Sequence, residues 1–273
     1  MVTRLLAGVI AAALSATAGL AQTSDLVSHN AFRVCADPAN LPQSNKAGEG
    51  FENKIAEVIA DELGLPLEYT WFPMATGFVR QTLRIGKCDV IIGFAQGHEL
   101  VLNTNHYYTS THILVTRDDS DLADVDFLGD PALKGRKIGV IAGTPPATHL
   151  AKYGLMATAK GYQLMVDRRV ESPNVRMLAD VKSGEIDAAI MWGPVGGPAI
   201  KAAGGLHAAP LFKEVAAPKM FYRITMGVRQ GELVWKRKLN SIIRKRQGDI
   251  DKILRDAGVP LLDEMGAALK EED

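Results

Sequence analysis

The sequence has little of what marks several specialised classes of protein. Its 273 residues include only two cysteines, and aromatic residues make up 6% of the chain. Lys and Arg together number 31, as do Asp and Glu, so the formal net charge is zero. The composition excludes a cysteine-rich scaffold and a chain kept disordered by its charge. It also removes any global attraction to nucleic acid or to an anionic membrane, so that only local patches could bind either one. The export predicted below excludes a nucleic-acid partner.

Signatures of catalysis and of metal or cofactor binding are missing as well. His98 and Glu99 are followed by Leu102, where a zinc-binding helix would need a second histidine. The sequence contains no phosphate-binding loop, dinucleotide fingerprint or nucleophile elbow. Asp37 and Glu49 are the acids that could serve a reaction, and neither has a convincing acid/base partner. We therefore predict no metal site, no cofactor and no enzymatic activity.

The first residues have the pattern of a secretory signal. A short start containing Arg4 is followed by an apolar run over residues 5–14 and by Gly-Leu-Ala at 19–21, which fits a cleavage site. The run is shorter than the roughly 20 residues that cross a membrane. We expect residues 1–21 to be a signal peptide and the mature protein to be periplasmic, without a membrane span. A retained anchor helix is the alternative.

Export bears on the two cysteines. In an oxidising compartment Cys35 and Cys88 can form a disulfide that closes a loop of about fifty residues. Cys35 ends one strand-like run and Cys88 begins another, so the bridge forms easily if those strands are neighbours. Two buried free thiols are the alternative.

Strand-like and helical segments alternate along the chain. The first series has strands at 31–35, 67–72 and 87–93 and helices at 51–63 and about 76–85, the first helix ending at Gly64. The second has strands at 137–142, 162–166 and 186–191 and helices at about 145–153, 174–183 and 194–203. This alternation predicts an α/β fold of two lobes, each a mostly parallel sheet flanked by helices.

The final segments predict a return to the first lobe. A strand at 222–228 and helices at 231–246 and 249–257 follow the second series, and crossings near 113–117 and 221–228 would join the lobes as two hinge strands. The expected division is 22–116 for the first part of lobe 1, 117–221 for lobe 2, 222–258 for the return and 259–273 for a C-terminal tail. The Asp-rich connector at 117–131 is interpreted as a solvated linker. The cleft between the lobes is the expected ligand site.

Several segments resemble the type 2 periplasmic solute-binding proteins, especially those for polar amino acids. Residues 50–64 resemble the Gly-Phe-acidic first helix of that family, 107–110 resemble its Pro-Tyr-Tyr-x-Ser segment, and 182–188 its Gly-x-x-Asp-Ala strand entry. The resemblance spans most of residues 31–258. It implies the two-lobed fold with an interlobe ligand site.

Two departures from the amino-acid binders stand out. Those proteins usually hold the ligand carboxylate with an arginine before the Tyr-Tyr segment, but no Arg or Lys occurs between Lys87 and Arg117. They also usually pair the ligand ammonium with an aspartate, where this chain has Trp192. Both charged contacts for a zwitterion are missing.

A narrower resemblance is to the J-type (MxaJ/XoxJ-like) periplasmic proteins associated with quinoprotein (methanol) dehydrogenases. Residues 33–42, the Gly-Lys-Cys-Asp-Val stretch at 86–90 and Trp192-Gly-Pro carry it. It implies an accessory role in maturing or activating a PQQ-dependent dehydrogenase, with the enzyme subunit or its cofactor as partner. The alternative is the receptor of an ABC transporter for a small neutral or weakly polar solute. A monomer is expected.

The candidate cleft residues are aromatic or polar and follow strand ends, where clefts of open α/β sheets form. Gly143 and Thr144, before a helix, could offer N–H groups to an anion, or simply cap that helix. Four polar residues follow the first strand: Asp37, Asn40, Glu49 and Glu52. They could contact a ligand or partner, or be solvated loop side chains. The predicted set is Asp37, Asn40, Glu49, Phe51, Trp71, Phe72, Met74, Phe94, Tyr107, Tyr108, Gly143, Thr144 and Trp192.

One predicted helix near the C-terminal end is strongly basic. Its apolar stripe carries Trp235, Leu239, Ile242 and Ile243. The basic side chains form either a solvated face or a docking patch for an acidic partner, which would respond to salt. They are Lys236, Arg237, Lys238, Arg244, Lys245 and Arg246.

Overall fold

The computed structural model describes residues 26–164, 166 and 172–271. The predicted signal peptide lies outside the described residues. The first half of the described chain contains β1 (Phe32–Ala36), β2 (Ala39–Asn40), β3 (Ser44–Asn45), α1 (Phe51–Leu63), β4 (Leu67–Trp71), α2 (Phe78–Gln81), β5 (Ile91–Ala95) and β6 (Leu102–Arg117). The second half contains β7 (Ile138–Ile141), α3 (Pro145–Lys152), β8 (Lys160–Tyr162), α4 (Pro173–Ser183), β9 (Ala188–Trp192), α5 (Gly193–Ala203), β10 (Leu206–Pro210), β11 (Phe221–Val228), α6 (Leu233–Lys245) and α7 (Gln247–Ala257).

Two long antiparallel strands, β6 and β11, hold the two lobes together. In the first lobe β4 and β1 are parallel, Val34 of β1 bridges Val90 just before β5, and β5 pairs with β11. In the second lobe β9 and β10 pair with the C-terminal half of β6, and β7 and β8 continue the sheet in parallel. The predicted α/β architecture of two lobes is therefore present, with its antiparallel pairs concentrated on the shared strands.

Local patterns explain the elements that match the prediction. α1 spans 51–63 because Phe51, Ile55 and Ile59 recur at helical spacing and are buried in the core of the first lobe. It ends at Gly64, which takes the left-handed conformation (φ 66°). The exact domain boundaries stay a prediction. In the region expected to be a tail, Val259 and Leu261 pack into the same core.

Other segments differ from the prediction. β6 is 16 residues long and β10 was not predicted, because their polar and small residues show no strand alternation. α2 is four residues long. It stops where the Thr82 hydroxyl donates to the Phe78 carbonyl (2.6 Å), a side-chain bond that competes with helix continuation.

The connector at 117–131 is not the solvated linker that its composition suggests. Leu122, Val125 and Leu128 are buried in the core of the second lobe. Successive turns direct these apolar side chains inward, and the Leu128 N–H donates to the Glu214 carboxylate (2.6 Å).

The predicted disulfide between Cys35 and Cys88 is present. Cys35 lies on β1, and Cys88 precedes Val90, which bridges that same strand. The two Cα atoms are 5.5 Å apart, and both residues are buried in a satellite core with Phe78, Leu83 and others. The bridge therefore joins neighbouring strand segments of the first lobe.

Candidate functional site

A cleft of about 470 Å³ lies between the lobes. Its apolar and aromatic side chains come from both lobes and from the two shared strands. The lining residues are Asn40, Gln43, Glu52, Met74, Gly93, Phe94, Ala95, Tyr108, His112, Ile141, Thr144, Pro145, Pro146, Leu164, Asn174, Ile190, Trp192, Pro194, Val195, Tyr222 and Ile224.

Six of the thirteen predicted cleft residues are in this lining: Asn40, Met74, Phe94, Tyr108, Thr144 and Trp192. The other seven are not among its residues, and two of them are polar. Asp37 is buried, and its carboxylate accepts from the Ala39 N–H (2.8 Å) and the Met74 N–H (2.6 Å), so it organises the loop after β1. Glu49 is exposed and accepts from the Asn45 amide (2.6 Å).

The predicted aromatics outside the lining belong to the first lobe's core or its edge. Phe51 is buried there, and Trp71 stacks on Tyr69 with the ring centroids 4.4 Å apart. Phe72 packs beside the disulfide cluster. Each anchors an element that borders the cleft.

Tyr107 and Gly143 are also outside the lining. Tyr107 and Tyr108 are consecutive on β6, so their side chains alternate. The Tyr107 hydroxyl donates to the buried Ile92 carbonyl (2.9 Å), whereas Tyr108 lines the cleft. Gly143 is exposed in the turn before α3.

The start of α3 is poorly equipped to bind an anion. The Thr144 hydroxyl donates to the Ile141 carbonyl (2.6 Å), so its proton is already used. Pro145 and Pro146 follow, and proline has no N–H to donate. This end of the helix therefore acts mainly as an apolar wall.

An aromatic cluster forms where the shared strands meet β9. His112 of β6 contacts Trp192, with the ring centroids 5.3 Å apart, and Trp192 contacts Tyr222 of β11 at 5.6 Å. The sequence singled out Trp192 but not the other two, because their neighbourhood depends on the register that places His112 opposite Trp192.

His112 is a neutral member of the cleft lining. Its Nδ1 lies 2.8 Å from the Met220 carbonyl, and since a carbonyl only accepts, Nδ1 carries the proton. Burial lowers the pKa of His112 to about 4. At neutral pH its Nε2 is therefore left with a free lone pair.

Glu52 supplies the carboxyl group of the lining. It is the second residue of α1, and its N–H donates to the Gln43 carbonyl (2.9 Å). The chain at Gln43 crosses so close to the helix start that a Cβ on Gly50 would lie 2.0 Å from the Gln43 oxygen. Gly93 makes room for the carboxyl group, since a Cβ there would lie 2.0 Å from Glu52 Oε1. Two glycines therefore place Glu52 at the cleft.

The carboxyl group of Glu52 is in an environment that opposes its charge. Burial raises the pKa of Glu52 to about 7, and no hydrogen bond to its side chain occurs within the described part of the chain. The nearby hydroxyl of Tyr108 also has a pKa well above its usual value, through burial first and the Glu52 charge second. The cleft therefore stores an unfavourable interaction that a suitable ligand could relieve.

Replacing Glu52 by Gln (E52Q) is expected to stabilise the fold at alkaline pH. The pKa of Glu52 rises from 4.5 to about 7 on folding. The folded wild type therefore binds the proton more tightly, and it loses stability as the pH rises from the unfolded pKa through the folded one. We expect E52Q to raise the free energy of unfolding by about 1–3 kcal/mol at pH 8.5 and by little at pH 4. Urea unfolding at both pH values measures this.

Glu57, exposed on the same helix, provides the control. E57Q should change the free energy of unfolding by less than about 0.5 kcal/mol at either pH. A loss of stability in E52Q at pH 8.5 would contradict the inference that the charge of Glu52 destabilises the folded protein.

The cleft has little to offer an amino-acid zwitterion. Among the described lining residues none is Lys, Arg or Asp. Within the same described ranges no group of three or more His, Cys, Asp or Glu could hold a metal ion. The described helices are also all too short or too polar to cross a membrane.

The basic patch lies on α6 and on Arg246, the residue between α6 and α7. Lys245 pairs with Glu62 (2.5 Å), and Arg246 pairs with Glu62 and Asp249. The other four members have no acidic partner in the part of the chain that the structure describes: Lys236, Arg237, Lys238 and Arg244.

Two lobes, two connecting strands and a ligand-sized cleft between the lobes define a binding protein of the periplasmic type. The sequence agrees, since residues 32–256 match the model of the bacterial extracellular solute-binding proteins, family 3. The chain belongs to this family.

Three relatives are similar over most of the chain. XoxJ from Methylobacterium extorquens AM1, described as a periplasmic binding protein, is 42% identical; its crystal structure superposes with a TM-score of 0.73, covering 85% of this chain and 100% of that one. Protein MoxJ of Paracoccus denitrificans is 30% identical over 280 residues, covering 95% of this chain and 97% of that protein. Protein MoxJ of Methylorubrum extorquens is 29% identical over 247 residues, covering 85% of this chain and 81% of that protein.

Proposed function

We propose that this protein is a periplasmic accessory factor that matures or activates a PQQ-dependent (methanol or alcohol) dehydrogenase. In this proposal it is exported by its N-terminal signal peptide and acts as a binding protein rather than as an enzyme. It contacts the dehydrogenase subunit, or an intermediate of its cofactor, through the aromatic interlobe cleft. The similarity to MoxJ and XoxJ proteins along almost the whole chain carries this assignment.

The chemistry of the cleft supports a role other than amino-acid import. Its described lining has no Lys or Arg to hold the carboxylate of a zwitterion, and Trp192 stands where the resemblance to amino-acid binders leads us to expect an aspartate. Aromatic rings from both lobes provide large apolar surfaces with few polar handles, which suits a flat molecule or an apolar protein segment.

Between the two partners, the electrostatics favour the enzyme over its cofactor. PQQ is a polycarboxylate, and a buried anion needs cations or N–H donors. The described lining offers no Lys or Arg; its side-chain donors, among them the amides of Asn40, Gln43 and Asn174, are neutral. Against an anion stand the carboxyl of Glu52, the lone pair of His112 and a helix start where Pro145 and Pro146 have no N–H. A segment of the dehydrogenase polypeptide is therefore the better occupant.

The second candidate is the substrate-binding receptor of an ABC transporter. The cleft, at about 470 Å³, is within the size range of small-molecule sites. Its lining would suit a neutral or weakly polar solute. Such a receptor should bind one solute per protein and be stabilised by it against unfolding.

The test is binding of the tagged mature protein to the purified quinoprotein dehydrogenase subunit of the same organism, by biolayer interferometry at 50 and 300 mM NaCl. We expect binding that weakens at high salt, because the unpaired cations of α6 would face an acidic surface. Charge reversal in that patch (K238E/R244E) should lower the association rate constant about tenfold at low salt. K134E/K152E makes the same charge change at exposed lysines of the second lobe and should have no such effect.

Two other results would decide against parts of this proposal. Equal association rates for the two charge-reversal variants would remove α6 from the contact. No binding of the subunit, together with a small molecule recovered from the purified protein by native mass spectrometry, would make the protein a solute receptor.

A further inference from the structure

The most unusual group of the cleft is the carboxyl group of Glu52, which shares the lining with several aromatic side chains. The Glu52 carboxyl group lies against Gly93, next to Phe94 in sequence, and its charge influences Tyr108. Trp192 and Tyr222 line the same cleft. Each of these rings has a face of negative electrostatic potential, which attracts cations. A carboxylate and several aromatic rings therefore lie around one apolar space.

This arrangement discriminates between ligand charges. An anion would meet the Glu52 charge and the acceptor Nε2 of His112, with no compensating Lys or Arg among the described lining residues. A neutral apolar group would leave the carboxyl group buried without a partner, which costs free energy. A protonated amine or a guanidinium would satisfy the carboxylate and contact the ring faces as well.

We propose that Glu52 determines the specificity of the cleft and that it binds a lysine or arginine side chain flanked by apolar residues in a segment of the partner protein. This rests on the proposed function, which supplies a protein as the partner. The cleft exceeds what one cationic side chain fills, and its apolar lining from both lobes would contact the flanking residues. The pairing is a charge-assisted hydrogen bond in a site of low polarity, where such bonds are strong.

The experiment uses the mature protein and three peptides in isothermal titration calorimetry at pH 8.5. The probes are acetyl-Leu-Lys-Leu-amide and the same peptide with norleucine or Glu in place of Lys. We expect the Lys peptide to bind at least about tenfold more tightly than the norleucine peptide, and the Glu peptide to bind least. E52Q should remove the advantage of the Lys peptide, whereas E57Q should preserve it.

A second variant tests the same contact without changing the acid. In G93A the new methyl group would occupy the space of Glu52 Oε1 and displace the carboxyl group. The Lys peptide should then lose most of its advantage, while circular dichroism reports an unchanged fold. Equal affinities of the Lys and norleucine peptides for wild type, or no binding of any peptide, would overturn the proposal. n-Pentylamine binding as tightly as the Lys peptide would overturn the assignment to a protein segment.

A pH profile separates direct recognition from a structural effect. The titratable groups that the Glu52 charge influences are Tyr69 of β4 and Tyr107 and Tyr108 of β6, and burial is the main cause of the raised pKa of all three. His112, in the same lining, has its pKa near 4, so Glu52 is the group that titrates near pH 7. Affinity for the Lys peptide should fall as the pH drops below 7 in wild type and E57Q, and stay constant in E52Q.

The dehydrogenase subunit distinguishes failure of this inference from failure of the proposed function. If the subunit binds wild type and E52Q with equal affinity, the role of Glu52 is wrong and the accessory function stands. If the subunit binds neither protein, the accessory function is wrong.

Discussion

Replacing both cysteines by alanine (C35A/C88A) is expected to lower the free energy of unfolding by about 4 kcal/mol. The disulfide joins residues 53 apart in sequence. A closed loop of this size removes much of the conformational freedom of the unfolded chain, and that restriction stabilises the folded state in the chain-entropy account. The sulfur atoms are also buried beside Phe78 and Leu83, so the variant loses packing as well. Urea unfolding at pH 7 without reductant measures the difference.

The single variant C35A isolates the bond. It breaks the same cross-link and leaves the Cys88 thiol in place, so it should lose nearly as much stability as the double variant. A loss below about 1 kcal/mol in both variants would mean that the unfolded chain gains little freedom from opening this loop.

Replacing Asp89 by Asn (D89N) is expected to cost about 3–5 kcal/mol, because it removes the charge that neutralises two guanidinium groups. Asp89 is 1% exposed. Its Oδ2 accepts from Arg33 Nε (2.8 Å), and its Oδ1 accepts from Arg33 Nη2 and Arg229 Nη2 (both 2.8 Å). Arg229 is itself buried, so its charge would lose its main compensation. The measurement is again the free energy of unfolding from urea.

An exposed ion pair serves as the control for D89N. Lys252 and Asp256 pair on α7 with side chains 74% and 65% exposed. Solvent screens such a pair, so D256N should cost less than about 1 kcal/mol. Similar losses in D89N and D256N would show that the buried cluster gains little from its charges.

The sequence predicted well those parts of the fold that depend on neighbours along the chain. The 51–63 helix has a full apolar period and a glycine stop, and the disulfide follows from two strand-flanking cysteines. Prediction failed where polar or small residues are held by tertiary partners rather than by a local apolar pattern. β6 carries polar residues that look like a loop, yet tertiary partners satisfy them; the Ser110 hydroxyl, for example, donates to the Pro260 carbonyl (2.6 Å).

The cleft shows the same division. Positions matching the resembled family predicted that Tyr107, Tyr108 and Trp192 face the cleft, and Tyr108 and Trp192 are in its lining. The sequence could not distinguish Tyr108 from Tyr107, whose side chain turns to Ile92 on the other side of the strand. His112 and Tyr222 joined the lining because strands far apart in sequence pair in one register.

By itself the sequence determined the α/β class, the family resemblance, the cysteine pair and the absence of Lys and Arg between Lys87 and Arg117. These depend on residue types and on short spacings, which the chain carries whatever its tertiary arrangement. Only the tertiary structure decided that Glu52, one of four polar residues near the cleft mouth, is the acid of the cleft. Its position depends on Gln43 crossing the start of α1 and on the space above Gly93, and both contacts arise from packing rather than from local pattern.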